Sequence, residues 1–231
     1  MKPGILLSLL IVLSFFSLFI GVSDFTAFDL ITWNQEHIPI LVISRIPRLL
    51  TIIMAGMSMS ISGLIMQQIT RNKFVSPTTA TTVDAAKLGV LVSLLVIPGA
   101  SSLGKMVVVF IFALVGTFLF MGLLRKIKVR NAILIPLVGI MLGNIIDSLT
   151  TFLAYRFDLV QNVSSWLMGN FSMIVQGRYE LLYFSVPLLI MAYVYAHQFT
   201  IAGMGEDFAK NLGLNYQRVV NLGVTIVALL S

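Results

Sequence analysis

The chain has no cysteine and few charged residues. Only 10% of its 231 residues are charged, and two are histidine. The absence of cysteine excludes disulfides, thiol catalysis, cysteine metal sites and an N-terminal lipoprotein anchor. The patterns G-x-x-x-x-G-K-[ST], H-E-x-x-H and G-x-S-x-G, which mark phosphate, zinc and nucleophile sites, are also missing. We therefore predict no enzyme active site, metal site or cofactor in this chain.

Apolar residues are abundant instead, at 58% of the chain. Soluble domains average roughly 45–50% apolar residues and about 25% charged ones. A membrane span needs about 20 mostly apolar residues, and a helix satisfies its own backbone hydrogen bonds in lipid. The sequence thus predicts an all-α fold, a polytopic transmembrane helical bundle. Seven segments are predicted as helices, at about 5–22, 41–69, 83–97, 106–124, 132–155, 181–199 and 219–230.

The two ends of the chain bear on this count. Lys2 and the apolar run after it resemble a signal peptide, but no A-x-A-like cleavage site follows, so a retained first span is predicted. The seventh segment stops at Ser231 before it could comfortably cross. We expect one transmembrane domain over residues 1–231, incomplete at its C-terminus.

The charge distribution predicts the orientation. The net charge is +6, and the basic residues stand at the ends of apolar runs, which favours anchoring in lipid and no nucleic-acid partner. The basic cluster at 125–130 is the strongest indication that the N-terminus lies inside. The connection 156–180 is then outside, with a short amphipathic helix around 166–174. The connection 200–217 is the main cytoplasmic surface.

Arg45 and Arg48 begin the second span on its outer side. Their i,i+3 spacing places them on one helix face, and Pro47 between them suits a first helical turn. They either anchor the helix at lipid headgroups or form a paired cationic contact for an acidic partner outside.

Asp84 and Lys87 also stand three residues apart, near the start of the third span. An unpaired charge at a helix centre costs about 2.5–3.5 kcal/mol, and pairing or a wet cavity lowers this cost. The two residues are interpreted either as a structural ion pair or as a position beside a substrate path.

The fifth span carries a polar stripe. Its offsets of 0, 3, 4 and 7 place four polar side chains on one helix face, namely Asn144, Asp147, Ser148 and Thr151. Gly139 and Gly143 lie four residues apart, which allows close helix approach. A polar stripe in a membrane faces protein or water. Helix–helix hydrogen bonding and the lining of a translocation path explain it equally well.

The inner connection contains a short predicted helix between glycines. Glu206 and Asp207 stand at its start, where the helix dipole favours them, and Gly213 suits its end. Phe208 and Leu212, four residues apart, form a small apolar face. This segment is either a simple capped loop or a docking helix for a cytoplasmic partner.

Read in order, these features resemble the permease subunit of ABC importers for iron–siderophores and cobalamin, the FecCD-type family. The resemblance extends across nearly the whole chain. It rests on these residues: Arg45-Ile46-Pro47-Arg48, Ser62-Gly63, Gln67, Arg71-Asn72, Pro77, Trp166-Leu167-Met168-Gly169, Gly205-Glu206, Ala209 and Leu212-Gly213.

The sequence departs from the family pattern in places. Lys73-Phe74 replaces the usual Pro-Leu, and residues 81–89 replace a glycine-rich start of the third span. The sequences at 76–79 and 87–89 look more like those of the catecholate or petrobactin siderophore branch. Family permeases have ten spans, of which this chain would contain about seven.

The resemblance implies a type II importer permease in the bacterial cytoplasmic (inner) membrane. It implies that Arg45 and Arg48 meet an extracytoplasmic siderophore-binding protein, and that a cytoplasmic ATPase subunit hydrolyses ATP. A second permease subunit, identical or different, would complete a path lined by the fifth span. The ATPase coupling residues would be Gly205, Glu206, Ala209, Leu212 and Gly213.

Two other classes remain open on the residues alone. An ion-coupled secondary transporter would use Asp84, Lys87 or Asp147 as a relay and would work without an ATPase. A purely structural membrane-assembly subunit would show no dependence on a substrate.

Overall fold

A computed structural model describes residues 3–20, 41–127, 134–168 and 180–231. These residues form helices and their connections, and no strand occurs among them. The α-helices are α1 (Pro3–Phe19), α2 (Ile46–Thr70), α3 (Thr82–Val96), α4 (Ser102–Ile127), α5 (Leu134–Arg156), α6 (Val160–Leu167), α7 (Ser185–Val194), α8 (Ala196–Met204), α9 (Glu206–Asn211) and α10 (Tyr216–Leu230). A π-helical turn (Leu41–Arg45) precedes α2, and 3-10 turns occur at Thr78–Ala80 and Glu180–Phe184.

The seven predicted apolar segments coincide with helices, which confirms the all-α fold. Three described helical stretches are long and apolar enough to cross a membrane by themselves: Leu41–Thr70, Ser102–Leu124 and Leu134–Arg156. The helices α1 and α10 are apolar but shorter. The third predicted segment forms α3, which has 15 residues and carries two charges.

The sixth predicted span is broken. Its two halves, Leu182–Val194 and Ala196–Met204, meet at Tyr195 with a bend of 54°. Neither proline nor glycine stands at the break, so the sequence carries no local sign of it. The second half runs on to Met204, five residues beyond the predicted end of this span, so the helix extends into the segment read as a connection.

In the described part of the connection 156–180, the helix α6 covers Val160–Leu167. Most of the predicted amphipathic stretch around 166–174 lies outside the described residues. Val163 is the buried residue of α6, whereas Trp166 is exposed. Residues 169–179 lie outside the described part of the chain.

The chain divides into two compact units, Met1–Gly56 with Asn170–Tyr183, and Met57–Gly169 with Phe184–Ser231. In the first unit, the Arg45 guanidinium donates a hydrogen bond to the Ile20 carbonyl. The prediction of one transmembrane domain over residues 1–231 stays a prediction.

The second unit contains the main core. The C-terminal end of α2 packs with α8 and α10 through buried side chains that include Ile65, Ile69, Phe199 and Val220. A smaller cluster joins α3, α5 and α6. Where α3 meets α4, the Thr82 and Thr117 hydroxyls lie 2.9 Å apart. These contacts fix α3 and α5 side by side and position the charged groups described next.

Candidate functional site

The charged residues of α3 and α5 meet across the two helices. Lys87 Nζ lies 2.5 Å from Asp147 Oδ1, although 60 residues separate them in sequence. The two side chains are 26% and 42% exposed. The sequence placed Lys87 beside Asp84, its neighbour on the same helix, and did not foresee this partner. The ion pair therefore joins two helices.

Asp84 completes this cluster. Its carboxylate is within electrostatic range of both Lys87 and Asp147. It occupies space that Gly143 leaves open, because a Cβ at position 143 would overlap Asp84 Oδ2 and lie 3.1 Å from its Cγ. The small residue at 143 thus permits close helix approach, and the space receives a carboxylate.

The remaining polar residues of α5 follow the same helix. Asn144 and Ser148 are exposed, and Thr151 is half-buried. Ser148 Oγ donates to the Asn144 carbonyl at 2.7 Å, so its hydroxyl is satisfied within the helix. Of the predicted polar stripe, the structure therefore brings Asp147 together with the predicted intramembrane charges between α3 and α5, whereas Asn144 and Ser148 are exposed.

The segment around α9 is bounded by two glycines in conformations that disfavour other residues. Gly205 has φ +124° and Gly213 has φ +78°. A side chain at such angles is strained, so glycine is needed at both ends. The Gly213 amide donates to the Lys210 carbonyl at 2.9 Å, and the Leu214 amide donates to Ala209 at 3.0 Å. The chain thus folds back tightly at both ends of the helix.

The helix α9 has a buried side and an exposed side. Ala209 is fully buried, whereas Phe208 and Leu212 are 50% and 56% exposed. On the exposed side, Lys210 Nζ lies 2.8 Å from Glu206 Oε1. The hydrogen bond from Lys210 to Glu206 raises the pKa of the lysine above its ordinary value, and the charge of Glu206 adds to this. The arrangement presents an apolar pair and a carboxylate to the surroundings.

The two arginines at the start of α2 differ in exposure. Arg45 is buried, with 5% of its surface exposed, and bonds to Ile20. Arg48 is half-buried, and its Nε has no hydrogen-bond partner in the described part of the chain. Of the two, Arg48 is thus the more accessible to solvent.

Comparison with known proteins identifies the class. Residues 9–231 match the FecCD transport family. The chain aligns over 99% of its length, with a TM-score of 0.69 and 22% identity, to 75% of one chain in a solved structure of a metal-chelate type ABC transporter in an inward-facing conformation. The fold is that of an ABC importer permease, as the resemblance implied. The chain belongs to the FecCD transport family.

Two relatives are close in sequence. The chain is 60% identical over all 231 residues to the petrobactin import system permease protein YclN of Bacillus subtilis (strain 168), and covers 73% of that protein. It is 38% identical over 213 residues to the ferric-anguibactin transport system permease protein FatD of Vibrio anguillarum, with 92% of this chain and 68% of that one aligned.

These findings place the chain among the transport subunits of ABC importers, which are not their catalytic components. Permeases of this kind work together with ATPase and substrate-binding partners. The family also favours ATP-driven import over the ion-coupled alternative. The roles predicted for individual residues stay predictions.

Proposed function

We propose that this chain is the permease subunit of an ATP-driven importer that carries a ferric siderophore across the bacterial cytoplasmic membrane. The observation that carries the proposal is the 60% identity, along the entire chain, to a petrobactin import permease. The relative from Vibrio anguillarum is named for a second ferric siderophore, which supports the wider substrate class.

The helix α9 suits the contact with a cytoplasmic ATPase subunit. Aromatic and aliphatic side chains that fill a partner's pocket usually carry most of the binding energy at an interface. Phe208 and Leu212 are exposed and one helical turn apart, so they can enter one cleft together. The fixed turns at Gly205 and Gly213 would make the helix move as a unit with its flanking helices.

The polar face of α5 suits a path for a hydrophilic chelate. Exposed Asn144 and Ser148 and the half-exposed Asp147 would be costly against lipid. A second permease subunit, identical or different, would cover this face and complete the path. Lys87 and Asp147 neutralise each other across the helices, which lowers the cost of keeping charge at this depth.

The outer contact would involve Arg48 and, after release from Ile20, Arg45. Cationic groups that face acidic groups of a binding protein steer the encounter and fix its register. Arg45 and Arg48 lie on the outer side of the membrane only if the N-terminus lies inside, which the basic cluster at 125–130 favours.

The test is uptake of radio-iron-labelled ferric petrobactin by cells that depend on this protein. We expect uptake to stop when the ATPase subunit is inactivated, and to compete with unlabelled ferric siderophore rather than with cobalamin. Uptake that persists without ATP hydrolysis, but stops when the ion gradient is collapsed, would replace the proposal with ion-coupled transport.

Charge reversals test the two partner contacts within the same assay. Glu206→Arg is expected to release the ATPase subunit and stop uptake. Arg48→Glu is expected to weaken docking of the binding protein by about tenfold or more, since a charge contact at an interface turns repulsive. Lys105→Glu, at a second cation that the same orientation places outside, is the matched control, and an equal effect there would refute a specific role for Arg48.

A further inference from the structure

The C-terminal end of α2 lies against both helices that flank α9. We propose that Gln68 and Arg71 are positioning residues that hold the turn from α8 into α9 against α2, so that movement of α9 is passed to α2. The inference rests on the proposed function, in which α9 meets the ATPase. It adds a route by which movement of that helix reaches a membrane span.

The first contact is between Gln68 and Gly203, near the end of α8. A Cβ at position 203 would overlap Gln68 Oε1, and it would lie 3.3 Å from Gln68 Cδ and 3.4 Å from the Gln68 carbonyl oxygen. A methyl group at position 203 would displace the Gln68 amide and press on the Gln68 backbone, so glycine lets α8 lie this close to α2. The two helices are therefore in direct contact two residues before the turn at Gly205.

The second contact is between Arg71 and Gly205. A Cβ at position 205 would lie 2.9 Å from Arg71 Nη1, and Gly205 is buried. Arg71 itself has φ +51°, a left-handed conformation that costs a residue other than glycine about 1 kcal/mol or more. Strain of this kind persists only where surrounding contacts enforce it. The guanidinium is thus set against the turn that starts α9.

Hydrogen bonds hold the loop after Arg71 against the end of α2, which keeps Arg71 in its position. The Asn72 amide donates to the Gln67 carbonyl at 3.0 Å, and Gln67 Nε2 donates to the Lys73 carbonyl at 3.0 Å. Asn72 is buried, and its Oδ1 accepts the Phe74 amide at 2.9 Å. These bonds connect the last turn of α2 to the loop and fix the point from which Arg71 extends.

The third contact is on the other side of α9. A Cβ at Gly223 of α10 would lie 2.5 Å from Ile69 Cδ1, 2.9 Å from Phe199 Cε1 and 3.1 Å from Ile65 Cγ2. Ile65, Ile69 and Phe199 are all buried. The helix before α9 and the helix after it therefore both pack on the last two turns of α2.

This arrangement can transmit displacement. Coupling between sites travels through packed side chains and rigid elements, and close-packed interiors pass on strain rather than absorb it. A shift of α9 moves the ends of α8 and α10, and no free space separates either helix from α2 at Gly203 or Gly223. Gln68 of α2 and Arg71, the residue directly after α2, are the polar residues in contact with Gly203 and Gly205, so they set the register of this contact.

The test measures siderophore transported per ATP hydrolysed, with ferric petrobactin as the probe, in proteoliposomes that contain the assembled transporter. Gly203→Ala is expected to lower this ratio at least about fivefold, the lower end of typical coupling between two sites, while the ATPase subunit stays bound. Gln68→Ala removes the side chain that holds the turn without adding volume, so it is expected to lower the ratio as well, alone or together with Gly203→Ala.

Arg71→Met tests the second contact without adding volume. Arg71 is exposed, so the variant folds even if Gly203→Ala does not insert. It is expected to lower the ratio, whereas Lys73→Met, at the exposed cation two residues away, is expected to leave it unchanged. Gly122→Ala, where no atom lies within 4 Å of the new Cβ, controls for an added methyl group.

The outcomes separate this inference from the proposed function. If the unmodified transporter shows no ATP-dependent uptake, the proposed function fails. If it transports normally and Arg71→Met keeps the full ratio, the inference alone is overturned. A full ratio in Gln68→Ala would mean that Gln68 does not hold the turn, and would overturn its part of the inference.

Discussion

Two lysine–carboxylate pairs in the second unit have similar geometry and different surroundings. Lys87 lies 2.5 Å from Asp147, and Lys210 lies 2.8 Å from Glu206. The first pair joins α3 to α5, and its side chains are 26% and 42% exposed. The second pair lies on α9 alone, one turn apart, with side chains 61% and 55% exposed.

The difference shows that distance alone does not set the value of an ion pair. Exposed pairs are screened by water and contribute little to stability. Charges inside a membrane are costly when single, so the partner of each is needed for the helix to remain there. The α3–α5 pair therefore fixes helix packing, whereas the α9 pair lies within one helix and stays open to solvent.

The largest expected effect follows from removing the lysine of the embedded pair. Lys87→Met leaves Asp147 and Asp84 facing each other without a cation, at a cost of the order of 2 kcal/mol. We expect a clear fall in the amount of folded protein in the membrane and in its thermal unfolding temperature in detergent. Both are measured by fluorescence-detected size-exclusion chromatography.

The double variant Lys87→Met with Asp147→Asn separates charge from packing. It removes both members of the pair and should recover part of the lost stability. Lys73→Met, at an exposed lysine of the loop after α2, is the matched control. If Lys87→Met is no worse than this control, the comparison drawn between the two pairs is wrong.

A smaller effect is expected when the space around the cluster is reduced and its charges are kept. Gly143→Ala places a methyl group against Asp84 Oδ2, and overpacking typically costs about 1–3 kcal/mol. We expect an intermediate loss of thermal stability, measured in the same way. Gly122→Ala, with open space around its Cβ, should change little. Equal losses in the two variants would show that the Gly143 contact does not constrain the helices.

Much of the fold was predictable because every span in lipid must satisfy its backbone hydrogen bonds internally, which an apolar helix does. Helix positions follow from apolar runs, and the structure differs from the predicted ends by a few residues in most cases. The break at Tyr195 was not predictable, since neither proline nor glycine stands there. Packing of neighbouring helices decides such a bend, and one sequence does not contain that information locally.

The candidate site was predictable only within each helix. Helical periodicity placed Asp147 on a polar stripe and Lys87 near Asp84, because spacing of three or four residues has one geometric meaning. It could not pair Lys87 with Asp147, which depends on how two helices approach. Nor could it foresee that Gly203 and Gln68 touch, since a glycine within a helix predicts close approach without naming the neighbour.

The smallest effect is expected at the exposed pair of α9. Lys210→Met removes a contact that water already screens, so we expect the unfolding temperature at neutral pH and the association with the ATPase to remain nearly unchanged. The raised pKa of Lys210 means that its charge stabilises the folded state at pH values below the ordinary lysine pKa. This contribution is lost as the pH rises through the higher folded value.

The comparison of unmodified protein and Lys210→Met over a pH series therefore has a definite sign. The unmodified chain should hold a slight advantage at neutral pH that disappears in strongly alkaline solution, and the two unfolding temperatures should converge there. Glu206 remains in place in this variant, so uptake should persist, in contrast to its loss in Glu206→Arg. A loss of uptake in Lys210→Met as severe as that in Glu206→Arg would mean that the pair acts as a unit in docking, and that exposure is a poor guide to its role.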